Sequence, residues 1–325
     1  MNHRRQLVLG LSVSALLPWQ AFAQKSAVVR IGWVSNDRAV GSPFLDAVRE
    51  GLRDFGYVEG RNLVIDARWG DGSIKRIDQL ASDLVRSKPH VIVTHGGPST
   101  YPVRRAGATM PVVFVFSGDP VEGGLVDSFA RPGRNFTGIS LMSTELIGKR
   151  MALLKEVMPS LRRVAVCSNP EHPGAQSELR ASEAAAKSLG LVVEHFQVRT
   201  RAELDDMLPF VLTSRSEAIV VFPDAILMRY SEYISEFAIK NRIPAISGWA
   251  LFAERGNLMS YGPNLRDSYR RVAFYVDKIV KGANPAELPI ELPTTVELVV
   301  NLKAAKALGM TIPQSVALRT DRVIE

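Results

Sequence analysis

Small polar and acidic residues recur in this chain where apolar runs stop. Ser117-Gly118-Asp119 follows VVFVF at 112–116, and Ser35-Asn36-Asp37 follows the run 28–34. His95-Gly96-Gly97-Pro98-Ser99-Thr100 follows VIVT at 91–94. Later in the chain, Ser168-Asn169, Pro223-Asp224 and Ser247-Gly248-Trp249 stand after runs of the same kind. Hydroxyls and backbone amides suit a carboxylate, a carboxylate suits an ammonium group, and an aromatic ring offers a stacking wall. Asp119 and Asp224 are also the residue type that glycoside hydrolysis needs in pairs.

The other enzymatic options lack their motifs. VSNDRAVGSP stands after the first run, where a dinucleotide site needs GxGxxG, and GxxxxGK[ST] is absent. His95-Gly96-Gly97 is similar to an esterase oxyanion loop, but no GxSxG supplies a nucleophile. The histidines at 3, 90, 95, 172 and 195 have no metal-ligand spacing. Cys167, the single cysteine, lies in the apolar run VAVCS and reads as a buried, inert thiol. Neither a cofactor, a metal nor a catalytic residue is expected. Asp119 also reads as a turn residue before Pro120, and Asp224 as the cap of a helix at 225–229.

These residues need strands to carry them. The runs 28–34, 63–69, 91–94 and 112–116 are apolar on both faces, as in a parallel sheet covered on both sides. Between them, Phe44, Val48, Leu52 and Phe55 share one helical face, as do Ile77, Leu80, Ala81, Leu84 and Val85. A second series of runs stands at 163–167, 192–198, 218–222 and 244–247. Ile31 to Val164 and Val112 to Ala245 are both separated by 133 residues, so the α/β unit occurs twice. The turn-rich ARPGRNFTGIS at 130–140 reads as their connection.

The fold class is therefore α/β, with two doubly wound, Rossmann-like lobes and a cleft between the facing strand ends. The first lobe is expected to comprise 24–139 with about 249–283, and the second 140–248 with about 290–325. Candidate ligand contacts are Ser35, Asn36, Ser42, His95, Gly97, Ser99, Thr100, Ser117, Asp119, Asn169, Asp224 and Trp249.

Residues 1–23 are a separate object. Arg4-Arg5, an apolar stretch too short to span a bilayer and Ala21-Phe22-Ala23 form an export leader cleaved after Ala23. No cysteine lies near Ala23 to carry a lipid anchor, so a free periplasmic protein is expected, exported by the general or the twin-arginine route. The formal charge of +7 comes from basic residues scattered as pairs, which argues against a nucleic-acid surface. Apolar content of 46% and charged content of 22% are those of an ordinary globular chain.

Several motifs together resemble the ABC-transporter substrate-binding protein family that includes tryptophan- and aromatic-amino-acid-binding members. They are GYVEGRN at 56–62, GDPV at 118–121 with Gly124-Leu125-Val126, RPGRNFTG at 131–138 and MSYG at 259–262. VVNLKAAKALG at 299–309 and DRVIE at 321–325 complete the match, which covers essentially the whole mature chain. Arg134 stands where many relatives have a second glycine. The resemblance implies a type I periplasmic-binding-protein fold and a monomer that closes on one small-molecule ligand. It implies delivery to an inner-membrane ABC permease driven by a cytoplasmic ATPase. It also implies that Ser99, Thr100 and Ser117 hold a carboxylate and Asp224 an ammonium, with Pro43, Phe44 and Trp249 for a side-chain pocket. An amino acid, including an aromatic one, or a related carboxylate is the expected ligand. An exported hydrolase or glycosidase using Asp119 and Asp224 is the alternative, as is a periplasmic ligand sensor.

Overall fold

A computed structural model describes residues 28–39, 42–141 and 144–325. The expected export leader and cleavage site lie outside the described residues. The strands are β1 (Val29–Ser35), β2 (Leu63–Trp69), β3 (Val91–His95), β4 (Val112–Phe116), β5 (Phe136–Ser140) and β6 (Arg163–Ser168). They continue as β7 (Val192–Gln197), β8 (Ala218–Val221), β9 (Ala245–Ser247), β10 (Met259–Pro263), β11 (Val296–Asn301) and β12 (Arg322–Ile324). The helices are α1 (Pro43–Asp54), α2 (Ile74–Arg86), α3 (Gly97–Arg105), α4 (Glu145–Val157), α5 (Ala175–Leu189) and α6 (Arg201–Thr213). After them come α7 (Ala225–Arg229), α8 (Ser231–Asn241), α9 (Ala250–Glu254), α10 (Leu265–Val280), α11 (Leu302–Leu308) and α12 (Gln314–Ala317).

The first sheet is parallel in the order β2-β1-β3-β4-β5. The second, β12-β11-β10-β9-β8-β6-β7, repeats that order from β7 through β10 and adds two strands at its edge. The fold is thus two doubly wound α/β lobes, as the 133-residue spacing requires. β3 and β4 are buried along nearly their whole length, whereas β2 and β7 are edge strands. In β2 only Leu63 is fully covered and Val64 is 46% exposed, so the expected two-sided burial of that run is corrected.

β5 corrects a second expectation. Residues 136–140 read as connection, yet they pair in parallel with β4 and are fully buried. Gly138 admits this pairing: its φ is +141°, and a Cβ there would lie 2.1 Å from the Phe114 carbonyl oxygen. Thr137 hides its hydroxyl by donating to the Leu288 carbonyl at 2.7 Å.

The chain passes between the lobes after β5, at Asn264, and again between Glu291 and Val296. The stretch 249–283, expected whole in the first lobe, is divided by the second passage. α9 and β10 lie with the second sheet, where β10 pairs with β9 and β11. α10 returns to pack on α1 of the first lobe. Gly51 allows the close crossing, since a Cβ there would be 2.3 Å from the Arg270 carbonyl. Asn264 caps α10 by accepting from the Asp267 N–H at 3.0 Å. One buried cluster runs through both lobes and includes Trp33, Val115, Leu141, Cys167 and Trp249, so the lobes meet over apolar contact.

Candidate functional site

Between the lobes lies a cavity of about 560 Å³, within the roughly 300–1,000 Å³ usual for small organic ligands. Its first-lobe wall is built from the loops after β1, β2 and β3 and from the start of α1. His95, the last residue of β3, is its centre. His95 Nε2 lies 2.9 Å from Asp37 Oδ2, and His95 Nδ1 bonds the Tyr269 hydroxyl. Ser35 locks the loop from below: its hydroxyl donates to Asp37 Oδ2 at 3.2 Å and accepts from the Asp37 N–H at 3.1 Å.

Burial alone would raise the Asp37 carboxyl. The bond and charge of His95, the Ser35 hydroxyl and the charge of Arg229 outweigh it and hold the group below the ordinary carboxylate value. Burial drives the Tyr269 phenol well above its ordinary value, and the Asp37 charge adds to the effect, so the hydroxyl keeps its proton. Phe44 stacks on His95 with ring centres 4.8 Å apart and planes 19° apart, and its ring lies 4.6 Å from that of Tyr269. The wall is therefore an aromatic surface with an ionised carboxylate at its edge.

The second lobe contributes Ala225, Met228 and Arg229 of α7, Trp249, and Leu251 and Arg255 near α9. Arg229 reaches the opposite lobe, where a Cβ on Gly72 would lie 2.9 Å from its Nη1. Trp249 is 7% exposed and its Nε1 has no hydrogen-bond partner. Among the described residues no group of three or more His, Cys, Asp or Glu side chains is placed to hold a metal ion. No described helix is long and apolar enough to cross a membrane.

A family model described as ABC transporter substrate binding protein matches residues 41–324. The chain belongs to this family. It is similar to a tyrosine-binding protein of Clostridioides difficile, at 24% identity over 83% of this chain and 79% of that one. A solved conserved domain protein from Vibrio cholerae superposes with a TM-score of 0.81 at 28% identity, over 92% of this chain and all of the other. An ABC domain from Streptococcus pneumonia in complex with L-Trp superposes at 0.82 with 24% identity and the same coverage. This substrate-binding protein thus has the two-lobed type I periplasmic-binding-protein fold. Membership implies an extracytoplasmic protein with a small-molecule ligand and a membrane permease and ATPase as partners.

Of the candidate contacts, Asn36, Ser42, His95, Ser117 and Trp249 line the cavity of this binding protein. Ser42 precedes α1, and its hydroxyl is buried without a partner. Ser35 stands behind the wall as the support of Asp37. Gly97 begins α3, and Ser99 and Thr100 are buried inside that helix, away from the cavity. Thr100 Oγ1 is used up locally, 2.8 Å from both the Gly96 carbonyl and Thr94 Oγ1.

The two aspartates of the enzymatic alternative do not meet in the cavity, and each serves its own backbone. Asp119 Oδ1 accepts from the N–H groups of Val121 and Glu122 at 2.7 and 3.1 Å, which closes its turn. Asp224 Oδ1 accepts from those of Ile226 and Leu227 at 2.7 and 3.1 Å, as the N-cap of α7. Asn169 likewise accepts from the Glu171 N–H at 3.0 Å. These three side chains lie off the cavity wall.

Sequence reasoning missed Asp37 as the bonded partner of His95, along with Arg229 and Tyr269. Asp37 was within reach, since it stands in the same strand-end tripeptide as Ser35 and Asn36. Tyr269 gave no signal of its own. On α10 it falls in the stripe Tyr269, Val272, Ala273, Val276, which reads as core packing.

Proposed function

We propose that this protein captures a free amino acid with an aromatic side chain in the interlobe cavity and presents it to its permease. The observation that carries the reading is the stacked wall of Phe44, His95 and Tyr269, edged by the carboxylate of Asp37. A ligand ring lies against this wall, with Trp249 opposite. Asp37 meets the ammonium group in a charge-assisted hydrogen bond. Ser42, whose hydroxyl is unpartnered at the amino end of α1, and Ser117 serve the carboxylate, where the helix dipole favours an anion. Asp37 takes the role first expected of Asp224, whose Oδ1 already accepts two backbone N–H groups.

The similarity to proteins described as tyrosine-binding and as complexed with L-Trp supports an aromatic amino acid. The protein acts as a monomer in the periplasm after loss of residues 1–23, and no step of catalysis is required of it. Calorimetry across the proteinogenic L-amino acids tests the reading. L-Tryptophan, L-tyrosine or L-phenylalanine should bind more tightly than any aliphatic or charged amino acid. Tighter binding of a sugar, or of an amino acid without a ring, would overturn it.

A further inference from the structure

Beside the cavity runs a strip of contacts that joins the lobes directly. Ser117 Oγ lies 2.9 Å from His172 Nε2. The backbone N–H of Asp119 donates to the Pro173 carbonyl at 3.1 Å, and Ser177 Oγ donates to Glu122 Oε1 at 3.1 Å. Gly118 permits the approach, because a Cβ there would lie 2.5 Å from the Pro173 oxygen. Residues 117–122 follow β4 of the first lobe, and residues 172–177 follow β6 of the second. His172 is buried but is not on the cavity wall, whereas Ser117 is.

We propose that His172 is a positioning residue of the binding site: from the second lobe it holds the Ser117 hydroxyl of the first and aims it at the ligand. The inference rests on the reading of Ser117 as a carboxylate contact. It makes one ligand-binding hydroxyl dependent on the two lobes being together.

The surroundings of the imidazole decide how the hydrogen bond runs. Ser117 faces Nε2 from the β4 loop. Glu178 of α5 faces Nδ1 at 3.7 Å, too far for a hydrogen bond, and its Oε2 has no other partner. Burial pushes the Glu178 carboxyl up to about 8 against the pull of Arg150 on α4, and Asp224 adds to the rise. A protonated carboxyl at that distance removes the charge that would hold a hydrogen on Nδ1, which leaves the hydrogen to Nε2 and its contact with Ser117. That hydrogen goes to Ser117 Oγ, and the serine keeps its own for a ligand carboxylate.

An imidazolium at this place would have to be charged while enclosed. Burial holds His172 below its ordinary value of 6.5, and the negative charge of Asp224 opposes that shift only in part. With the folded value depressed, keeping the side chain neutral costs nothing well above pH 6.5. The seam weakens as the pH falls below 6.5 toward the folded value.

Two measurements on the full exported chain test the proposal. The first needs no ligand: nitrogen NMR of the histidine-labelled protein, with the His172 signal identified by its loss in His172→Gln. His172 should be the neutral Nε2–H tautomer at pH 7, and Ser117→Ala should shift its signals. The Nδ1–H tautomer, or signals indifferent to Ser117→Ala, would overturn the proposal.

The second measurement uses L-tryptophan, with L-tyrosine as a second probe, in calorimetry from pH 7.5 to 5.5. Loss of one neutral hydrogen bond predicts about fivefold to tenfold weaker binding in His172→Ala at pH 7.5. His172→Gln, which offers an amide N–H, should recover to within about twofold of the parent and lose its decline toward pH 5.5. A merely structural histidine would leave Gln as weak as Ala, and that result sinks the idea. Should neither amino acid bind the parent protein, the ligand reading fails, and the NMR result alone decides the role of His172.

Discussion

The two lobes approach the ligand cavity in opposite ways. In the first, the polar groups form a chain with its bonds made: Ser35 to Asp37, Asp37 to His95, and His95 to Tyr269, all backed by Phe44. In the second, Asp224 after β8 holds the start of α7, and the cavity receives mainly apolar side chains with Arg229, Glu232 and Arg255 among them. Besides Trp249 Nε1, unmet polar groups of that lobe lie deeper. Arg150 is fully buried with Nη1 and Nη2 unbonded, and Glu178 Oε2 is unbonded as well. A wall whose central groups are already held by one another is preorganised for recognition, whereas an enclosed cation and carboxyl with missing bonds set stability and its pH dependence.

The largest effect that would test this contrast is expected at Arg150. Its Nε donates to the Tyr261 carbonyl at 2.8 Å, and its guanidinium is the cation that opposes the rise of Glu178. Arg150→Ala strands that carbonyl and empties a fully buried volume, so unfolding should become easier by about 3–5 kcal/mol. Denaturant titration measures it. A loss below about 1 kcal/mol would show that the second lobe tolerates an apolar interior there and that the contrast is overstated.

Glu178 gives the same contrast a pH signature. Its folded value is raised from 4.5 to about 8, so the folded chain holds a proton that the unfolded chain gives up. Its contribution to stability is fully present below pH 4.5 and is lost as the pH rises to about 8. Between about pH 7 and 8 His172, with its lowered value, is mostly neutral in both states, which isolates the glutamate. Thermal unfolding should therefore fall with pH across that window in the parent and run flatter in Glu178→Gln. Parallel curves would remove Glu178 from the account.

On the first-lobe wall the effect should appear in affinity. Asp37→Asn keeps the shape and removes the charge meant for an ammonium group. Ligand binding should weaken by roughly 1.5–3 kcal/mol, about tenfold to somewhat over a hundredfold. Calorimetry with L-tryptophan checks this, and equal affinity would move the ammonium contact elsewhere.

Asp224→Asn is expected to do least. Asparagine caps a helix about as well as aspartate, so affinity and stability should both stay within about 0.5 kcal/mol of the parent. A tenfold loss of affinity would restore Asp224 as a ligand contact and make the two walls alike after all.

Much of this architecture was legible before any coordinates. VVFVF at 112–116 can hardly be anything but a covered strand, and the 133-residue spacing fixes two units of one kind. The strand ends led directly to Asn36, His95, Ser117 and Trp249, because a parallel α/β sheet gathers its ligand groups there. FTGIS at 136–140 escaped notice because its threonine, glycine and serine look like loop. They become strand only where Phe114 and Leu288 offer partners to their backbone and hydroxyl groups.

What the linear chain alone determined is which residues are able to stand at the cleft, since hydrophobic period and turn chemistry act over a few residues. Which of them do so was decided by tertiary packing. Asp37 and Asp224 both follow apolar strands and are indistinguishable by type. One turns toward His95 and Tyr269, the latter more than 200 residues away, and the other toward the N–H groups of the helix beginning beside it. The difference lies in what each carboxylate meets once the helices are in place. Hydrogen-bond partners brought together from distant parts of the chain carry no local signature in the sequence.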